Sequence, residues 1–140
     1  MMFMLDTNVC VVLINRRPGY EQLLDRIAKY EYGDLLISAI TVAELEFGVA
    51  KSARGAENRG RLDIFLARFE IAPFGQRAAV AYGPLRAALE ANGTPIGPLD
   101  TQIAAHGLAI GATVVTDNTG EFSRVAGLKV ENWLAVRGGK

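Results

Sequence analysis

The first residues of the chain form the feature that most restricts its fold. Four large apolar residues, Met2 to Leu5, lead directly into Asp6, Thr7 and Asn8. A short run that is apolar at every position, rather than at alternate positions, is typical of a strand buried on both faces. Such strands lie inside parallel sheets that helices cover on both sides. The opening run therefore predicts an α/β fold in which Asp6 follows the carboxyl end of a central strand.

The rest of the chain alternates short apolar runs with segments of helical periodicity. Further strands are predicted over 35–38, 71–74, 113–116 and 129–133, and helices over 7–17, 18–30, 41–53, 57–69, 76–92 and 101–110, with a helical turn at 121–125. Pro73 in the third strand indicates an edge position, because proline cannot donate a ladder hydrogen bond. The alternation favours an α/β sandwich with a parallel sheet. We expect a single domain over 1–136 and a polar tail over 137–140.

The composition limits what the chain can bind. Lys and Arg number 15 and Asp and Glu number 15, so the formal net charge is zero. Since proteins that hold nucleic acid through overall charge are basic, any such contact must come from a local patch. A single cysteine, Cys10, and a single histidine, His106, exclude a zinc site of the Cys/His type. The chain has neither a signal-peptide pattern nor a membrane-length apolar run, so we expect a cytoplasmic protein without membrane contact.

Acidic residues recur where the predicted sheet would present its carboxyl edge. Asp6 and Asp117 each follow a buried strand, and ligands collect at that edge of open α/β sheets. Asp100 lies at the start of a helix and shares its apolar face, while Glu44 lies on the first turn of the helix after the second strand. Converging carboxylates repel each other unless a cation neutralises them, and Mg²⁺ or Mn²⁺ prefers oxygen ligands. The joint pattern predicts metal-assisted hydrolysis of a phosphodiester.

Each of these acids also has a purely structural interpretation. Asp6 and Asp100 are good helix N-caps, since their carboxylates can accept hydrogen bonds from free backbone N–H groups. Thr41 and Glu44 have the spacing of a capping box. Asp117 begins a good turn sequence.

Several polar residues outside this group have open roles. Spacing alone does not separate Glu44 from Glu46, and Glu121 is expected to be a solvated surface acid. His106 falls off the face of its helix that carries Asp100, so we expect it on the surface or partly packed.

A group of basic residues surrounds the turn between the third and fourth helices. Its members are Lys51, Arg54, Arg59 and Arg61. By themselves they are typical of a solvated helical corner. Beside a phosphodiesterase site, the same basic cluster is a candidate surface for an RNA backbone.

Four segments in this order resemble a known family. They are Met-Leu-Asp-Thr-Asn at 4–8, Ser-Ala-Ile-Thr-Val-Ala-Glu-Leu at 38–45, Ile-Gly-Pro-Leu-Asp-Thr-Gln-Ile-Ala-Ala at 96–105 and Gly-Ala-Thr-Val-Val-Thr-Asp-Asn at 111–118. Together they resemble the PIN-domain ribonucleases, specifically the VapC-type toxins of bacterial toxin–antitoxin pairs, over nearly the whole chain. The resemblance implies a PIN-like three-layer α/β/α sandwich with a short, mostly parallel central sheet.

The same resemblance assigns roles to individual residues. It implies Asp6, Glu44, Asp100 and Asp117 as the catalytic acids, which selects Glu44 over Glu46, with Asp6, Asp100 and Asp117 as metal ligands. Supporting polar positions are implied at Thr7, Asn8, Thr116 and Asn118. The chain departs from its apparent relatives at Gly120, where many carry arginine before Glu-Phe.

The activity implied by the resemblance is that of a Mg²⁺- or Mn²⁺-dependent endoribonuclease that cuts tRNA or ribosomal RNA and arrests translation. It further implies a homodimer and a VapB-like antitoxin whose C-terminal segment lies across the active site. Two alternatives remain. One is a non-catalytic PIN-like module that binds RNA or protein. The other is a phosphatase of the haloacid-dehalogenase type, although these enzymes usually carry a second aspartate where this chain has Asn8.

Overall fold

The computed structural model of the protein describes residues 1–134, so the predicted tail at 137–140 lies outside the described residues. The strands are β1 Phe3–Leu5, β2 Leu35–Ser38, β3 Glu70–Ala72, β4 Thr113–Val115 and β5 Val130–Glu131. The helices are α1 Thr7–Asn15, α2 Tyr20–Ile27, α3 Ala39–Ala50, α4 Gly55–Leu66, α5 Gln76–Ala91, α6 Pro98–Ile110 and α7 Thr119–Phe122. Each predicted element has a counterpart, and the differences lie at the element ends.

The sheet has the strand order β3-β2-β1-β4-β5, and every pairing within the described residues is parallel. β1 is central, with Phe3 aligned to Leu35 on one side and to Thr113 on the other. β3 occupies an edge, as Pro73 predicted. The chain winds outwards from β1 to β3 and then returns to β4 beside β1, so the winding direction reverses between β1 and β4. In open α/β sheets a crevice forms at the carboxyl end of such a reversal.

Helices cover both faces of the sheet, which confirms the predicted three-layer sandwich. On one face Phe3 and Leu5 pack with apolar residues of α1 and α4, among them Val9 and Leu62. On the other face Met4 packs with residues of α5 and α6. β1 is apolar at every position because its alternating side chains enter two separate cores. No helix within the described part of the chain combines the length and the apolar character that a membrane crossing requires.

Two of the three predicted caps are wrong, because the helices begin earlier than the apolar periodicity indicates. α3 begins at Ala39, where Ser38 is the N-cap and its hydroxyl accepts a hydrogen bond from the Ile40 N–H at 3.1 Å. Thr41 is consequently buried within the helix, and the capping box with Glu44 does not form. The side chain of Glu44 is therefore not used in capping.

The start of α6 shows the same difference. This helix begins at Pro98, whose fixed backbone angle suits the first helical position, so Asp100 lies in the first turn and is not the N-cap. The cap predicted at Asp6 is confirmed, because its carboxylate accepts a hydrogen bond from the Val9 N–H at 2.9 Å.

Candidate active site

Four acids meet around the crevice between β1 and β4. Asp6 directly follows β1, and its N–H donates to the Val115 carbonyl of β4 at 3.0 Å. Asp117 lies two residues beyond the end of β4, and α3 and α6 bring Glu44 and Asp100 to the same place. Asp100 lies in the first turn of α6, but Glu44 lies in the second turn of α3, not in the first as predicted, because this helix already begins at Ala39. Their charges act on each other: Asp117 and Asp100 raise the pKa of Asp6, and Glu44 raises the pKa of Asp100. The structure thus brings the four predicted acids within electrostatic reach of one another.

Asp6 is the most deeply placed of these acids, with 4% of its surface exposed. Burial raises its pKa from 3.8 to about 6, and the charges of Asp117 and Asp100 contribute in the same direction. Hydrogen bonds from the Thr116 hydroxyl and the Val9 N–H oppose this rise, because they stabilise the ionised form. Asp6 is therefore held as a carboxylate at a cost in free energy, which a nearby cation would lower.

A threonine on α1 fixes the orientation of Glu44. The Thr7 hydroxyl donates to Oε1 of Glu44 at 2.6 Å and lies 3.2 Å from the hydroxyl of Thr41. Glu46, by contrast, is exposed and binds the guanidinium of Arg59. The structure therefore associates Glu44, and not Glu46, with the other acids.

The remaining polar residues predicted around the site form a second layer of hydrogen bonds. The Asn8 amide donates to both carboxylate oxygens of Asp117, at 2.9 and 3.0 Å. The Asn118 N–H donates to the Thr116 hydroxyl at 2.9 Å, and that hydroxyl in turn donates to Asp6. These contacts hold the turn after β4 against β1 and so maintain the relative positions of Asp6 and Asp117.

Glu121, which was predicted to be a solvated surface acid, also acts on this group. Burial raises the pKa of Asp100, and the next contribution comes from the charge of Glu121, ahead of that of Glu44; a hydrogen bond from Asn118 acts in the opposite direction. α7 begins at Thr119, two residues after Asp117, and brings Glu121 towards the crevice. The short spacing from Asp117 was the available signal in the sequence.

The carboxylate oxygens of the crevice are ligands of the kind that a hard divalent cation prefers, although they do not surround a cation site. Within residues 1–134, no three acids, histidines or cysteines are assembled so that they could hold a metal ion. Asp117 and Glu44 instead accept hydrogen bonds from Asn8 and Thr7. All of the candidate ligand atoms are nevertheless carboxylate oxygens. Burial raises the pKa values of Asp6 and Asp100, neighbouring negative charges add to the rise, and a bound cation would stabilise both ionised groups.

His106 is buried, so the prediction of a surface or partly packed side chain is wrong. Only 1% of its surface is exposed, and its Nδ1 lies 2.8 Å from the hydroxyl oxygen of Ser38. The prediction considered only the face of α6 that carries Asp100. Because α6 packs against α5 as well as against the sheet, several of its faces are buried.

The basic cluster at 51–61 is extensively paired with acids. Arg59 binds Glu46 and also Asp63, the latter at 3.0 Å. Arg54 and Arg61 lie 3.6 and 4.0 Å from the carboxylate of Glu57. The Lys51 ammonium lies over the ring of Phe47. The neighbouring acids reduce the net positive charge of this corner, and RNA binding there stays a prediction.

Comparison with known proteins adds the family. The profile of the PIN domain family matches residues 3–128. The chain belongs to the PIN domain family. This PIN domain is 46% identical to ribonuclease VapC2 of Rickettsia felis, over 95% of this chain and 98% of that protein. It is 38% identical to the tRNA(fMet)-specific endonuclease VapC of Salmonella typhimurium, over 94% of this chain and 97% of that protein.

A solved structure agrees with the sequence comparison. The PIN domain superposes on a chain in the crystal structure of DNA-bound VapBC from Salmonella typhimurium with a TM-score of 0.89 and 38% identity, covering 95% of this chain and 98% of that one. The predicted resemblance to VapC proteins is thereby confirmed. Membership of the PIN family also decides against the phosphatase of the haloacid-dehalogenase type.

Proposed function

We propose that this PIN domain is an endoribonuclease toxin that cleaves tRNA or ribosomal RNA in the cytoplasm and thereby arrests translation. The main support for this proposal is that four carboxylates meet at the β1–β4 crevice. In addition, relatives that this chain matches over almost their whole length are named as a ribonuclease and an endonuclease. One of these relatives is named for action on tRNA(fMet), which makes tRNA the first substrate to test.

In the proposed reaction, the acids of the crevice have different roles. Asp6, Asp100 and Asp117 would hold Mg²⁺ or Mn²⁺, which when bound stabilises charge on the phosphate and lowers the pKa of water. Glu44, held by Thr7, positions the attacking water. Burial of Asp6 excludes bulk water from one side of the site and strengthens electrostatic interactions there.

Cleavage of total tRNA by purified protein, with Mg²⁺ or Mn²⁺ and with or without EDTA, tests this activity. We expect cleavage that EDTA abolishes and that Asp6→Asn or Asp100→Asn lowers by about 100-fold or more. Glu46→Gln is a matched control, because its carboxylate binds Arg59 and lies outside the acid group. Cleavage that persists in EDTA would contradict the mechanism. Binding of RNA without cleavage would favour the non-catalytic module.

The partner proposed for the toxin is a VapB-like antitoxin, because solved relatives are VapBC complexes. We expect induced expression to stop growth and co-expression of a VapB-like protein encoded beside the gene to restore it. We also propose a homodimer, which light scattering of the purified protein tests. A monomeric mass across the accessible concentration range would contradict the dimer.

An apolar groove between α1, α2 and α4 offers a docking surface for that antitoxin. Its cavity of about 750 Å³ is lined mainly by apolar and aromatic side chains, and its polar residues are three arginines, one acid and one amide: Arg16, Arg61, Arg68, Glu31 and Asn15. The lining fits a segment that combines apolar residues with acidic ones. Ile64→Glu should weaken antitoxin binding without changing RNA cleavage. Val80→Glu is the matched control, because the two side chains are 67% and 66% exposed and Val80 lies outside the groove.

The basic cluster is proposed to contact the RNA backbone. Arg54→Ala and Lys51→Ala should raise KM with little effect on kcat. For each phosphate contact that is lost, the slope of the logarithm of the binding constant against the logarithm of the salt concentration should become smaller by about one. An unchanged salt dependence in both variants would remove this cluster from the RNA-binding surface.

A further inference from the structure

We propose that His106 is a positioning residue that fixes the start of α3, which carries Glu44, against α6, which carries Asp100. The proposal rests on the proposed nuclease function, because it gives His106 a role in aligning two of the acids. His106 and Ser38 are 68 residues apart in sequence, and their side chains meet in the interior, where Ser38 is fully buried and His106 nearly so.

The hydrogen bonds around the imidazole specify its protonation. The Pro73 carbonyl can only accept a hydrogen bond, so the ring nitrogen facing it carries a proton. Nδ1 faces Ser38, so we assign the contact with Pro73 to Nε2–H, and in this tautomer Nδ1 accepts the Ser38 hydroxyl proton. The Ser38 oxygen in turn accepts from the Ile40 N–H. With a neutral imidazole, every donor and acceptor in this series of hydrogen bonds has a partner. Burial also favours the neutral ring, because it lowers the pKa of His106.

These hydrogen bonds join three parts of the fold that lie far apart in sequence. Ser38 is both the last residue of β2 and the N-cap of α3, and it aligns with Ala72 at the end of β3. Pro73 directly follows β3, and His106 lies on α6. One imidazole therefore connects the β2–α3 junction, the end of β3 and α6.

The alignment matters because Glu44 and Asp100 depend on the positions of two different helices. Glu44 lies six residues after Ser38 on α3, and Asp100 lies six residues before His106 on α6. If the His106–Ser38 bond were lost, a shift of one helix against the other would move these acids apart. A displacement of about 1 Å can lower a reaction rate about 100-fold.

Steady-state cleavage of tRNA by variants tests the positioning role. His106→Leu and Ser38→Ala should each lower kcat by about tenfold or more while leaving KM within about twofold, as expected when catalytic groups but not RNA contacts are displaced. His106→Asn keeps an acceptor near the position of Nδ1 and should restore most of kcat. Phe65→Leu, a core change between α4 and the sheet, is the control for general destabilisation and should leave kcat unchanged.

A double-mutant cycle distinguishes positioning from a merely structural role. In a Glu44→Gln background, His106→Leu should lower kcat by less than about twofold, because the Glu44 carboxylate that His106 aligns with Asp100 is already absent. Fully additive losses, or a wild-type kcat in His106→Leu, would overturn the proposal.

Nuclear magnetic resonance gives a readout that does not depend on nuclease activity. Because the protein has a single histidine, ¹⁵N-histidine labelling reports on His106 alone. We expect a neutral ring with its proton on Nε2, and a shift of the Nδ1 resonance in Ser38→Ala. In His106→Leu, the amide resonances of Glu44 and Asp100 should shift, and they should not in Phe65→Leu. If the wild type cleaves no RNA, the proposed function fails, and these shifts still decide the positioning role; their absence would refute it.

Discussion

Asp6→Asn should stabilise the protein although it lowers cleavage by about 100-fold or more. In the folded protein the pKa of Asp6 is raised from 3.8 to about 6, chiefly by burial. Since each pKa unit corresponds to about 1.4 kcal/mol, ionised Asp6 lowers the free energy of unfolding at pH 7 by about 3 kcal/mol. The sign follows from the direction of the rise. Because the folded protein holds the Asp6 proton more tightly than the unfolded chain does, the contribution of neutral Asp6 to stability is fully present below pH 3.8. This contribution is lost as the pH rises through the folded pKa of about 6.

The asparagine variant removes this charge and keeps the N-cap. Its side-chain oxygen can still accept the hydrogen bond of the Val9 N–H, and asparagine is a good N-cap. The charge-assisted bond from Thr116 is lost at a cost of about 1 kcal/mol. The net gain at pH 7 is then about 2 kcal/mol, or about 7 °C in Tm for a chain of 140 residues.

Thermal unfolding in EDTA at pH 7.5 and at pH 4 measures this gain. At pH 4 folded Asp6 is already largely neutral, so the gain should fall to zero or become slightly negative. Asp25→Asn, at an exposed position on α2, is the control and should change Tm little at either pH. Added Mn²⁺ should stabilise the wild type but not Asp6→Asn. A variant that is less stable than the wild type at pH 7.5, or equally stabilised at both pH values, would refute the reasoning.

Three further predictions concern single side chains. Thr7→Val removes the 2.6 Å hydrogen bond to Glu44 and should lower kcat about tenfold, whereas Thr7→Ser should retain activity; equal activity of both would contradict this role. Glu121→Gln removes a charge that raises the pKa of Asp100, so the acidic limb of the pH–rate profile should move to lower pH. An unchanged acidic limb would contradict a role for Glu121. Gly107→Ala places a Cβ only 3.0 Å from a buried side chain and should destabilise by about 1–3 kcal/mol in urea unfolding, whereas Gly60→Ala has open space and should stabilise by about 0.5–1 kcal/mol.

The apolar pattern was enough to predict the architecture. A strand that is apolar at every position must be buried on both faces, and β1 indeed enters two cores. Alternation of strands and helices then predicted the parallel sheet, and Pro73 predicted the edge position of β3. These features are local in sequence, because burial leaves a periodic record along each element.

The helix starts were harder to predict, because capping depends on backbone geometry that apolar periodicity does not record. Ser38 caps α3 in place of Thr41, and α6 begins at Pro98 rather than after Asp100. Both differences bear on function. They leave Glu44 in the second turn of α3 and Asp100 in the first turn of α6, where neither side chain is an N-cap and both carboxylates are available to the crevice.

By itself, the sequence determined the sandwich, the carboxyl-edge position of Asp6 and, through the family resemblance, the choice of the four acids. Only the tertiary structure decided which side chains act on them. Thr7 holds Glu44, Glu121 acts on Asp100, and His106 is buried against Ser38. The physical reason is that hydrogen bonds and charge interactions join residues far apart along the chain, whereas periodicity reports only which face of one element is buried.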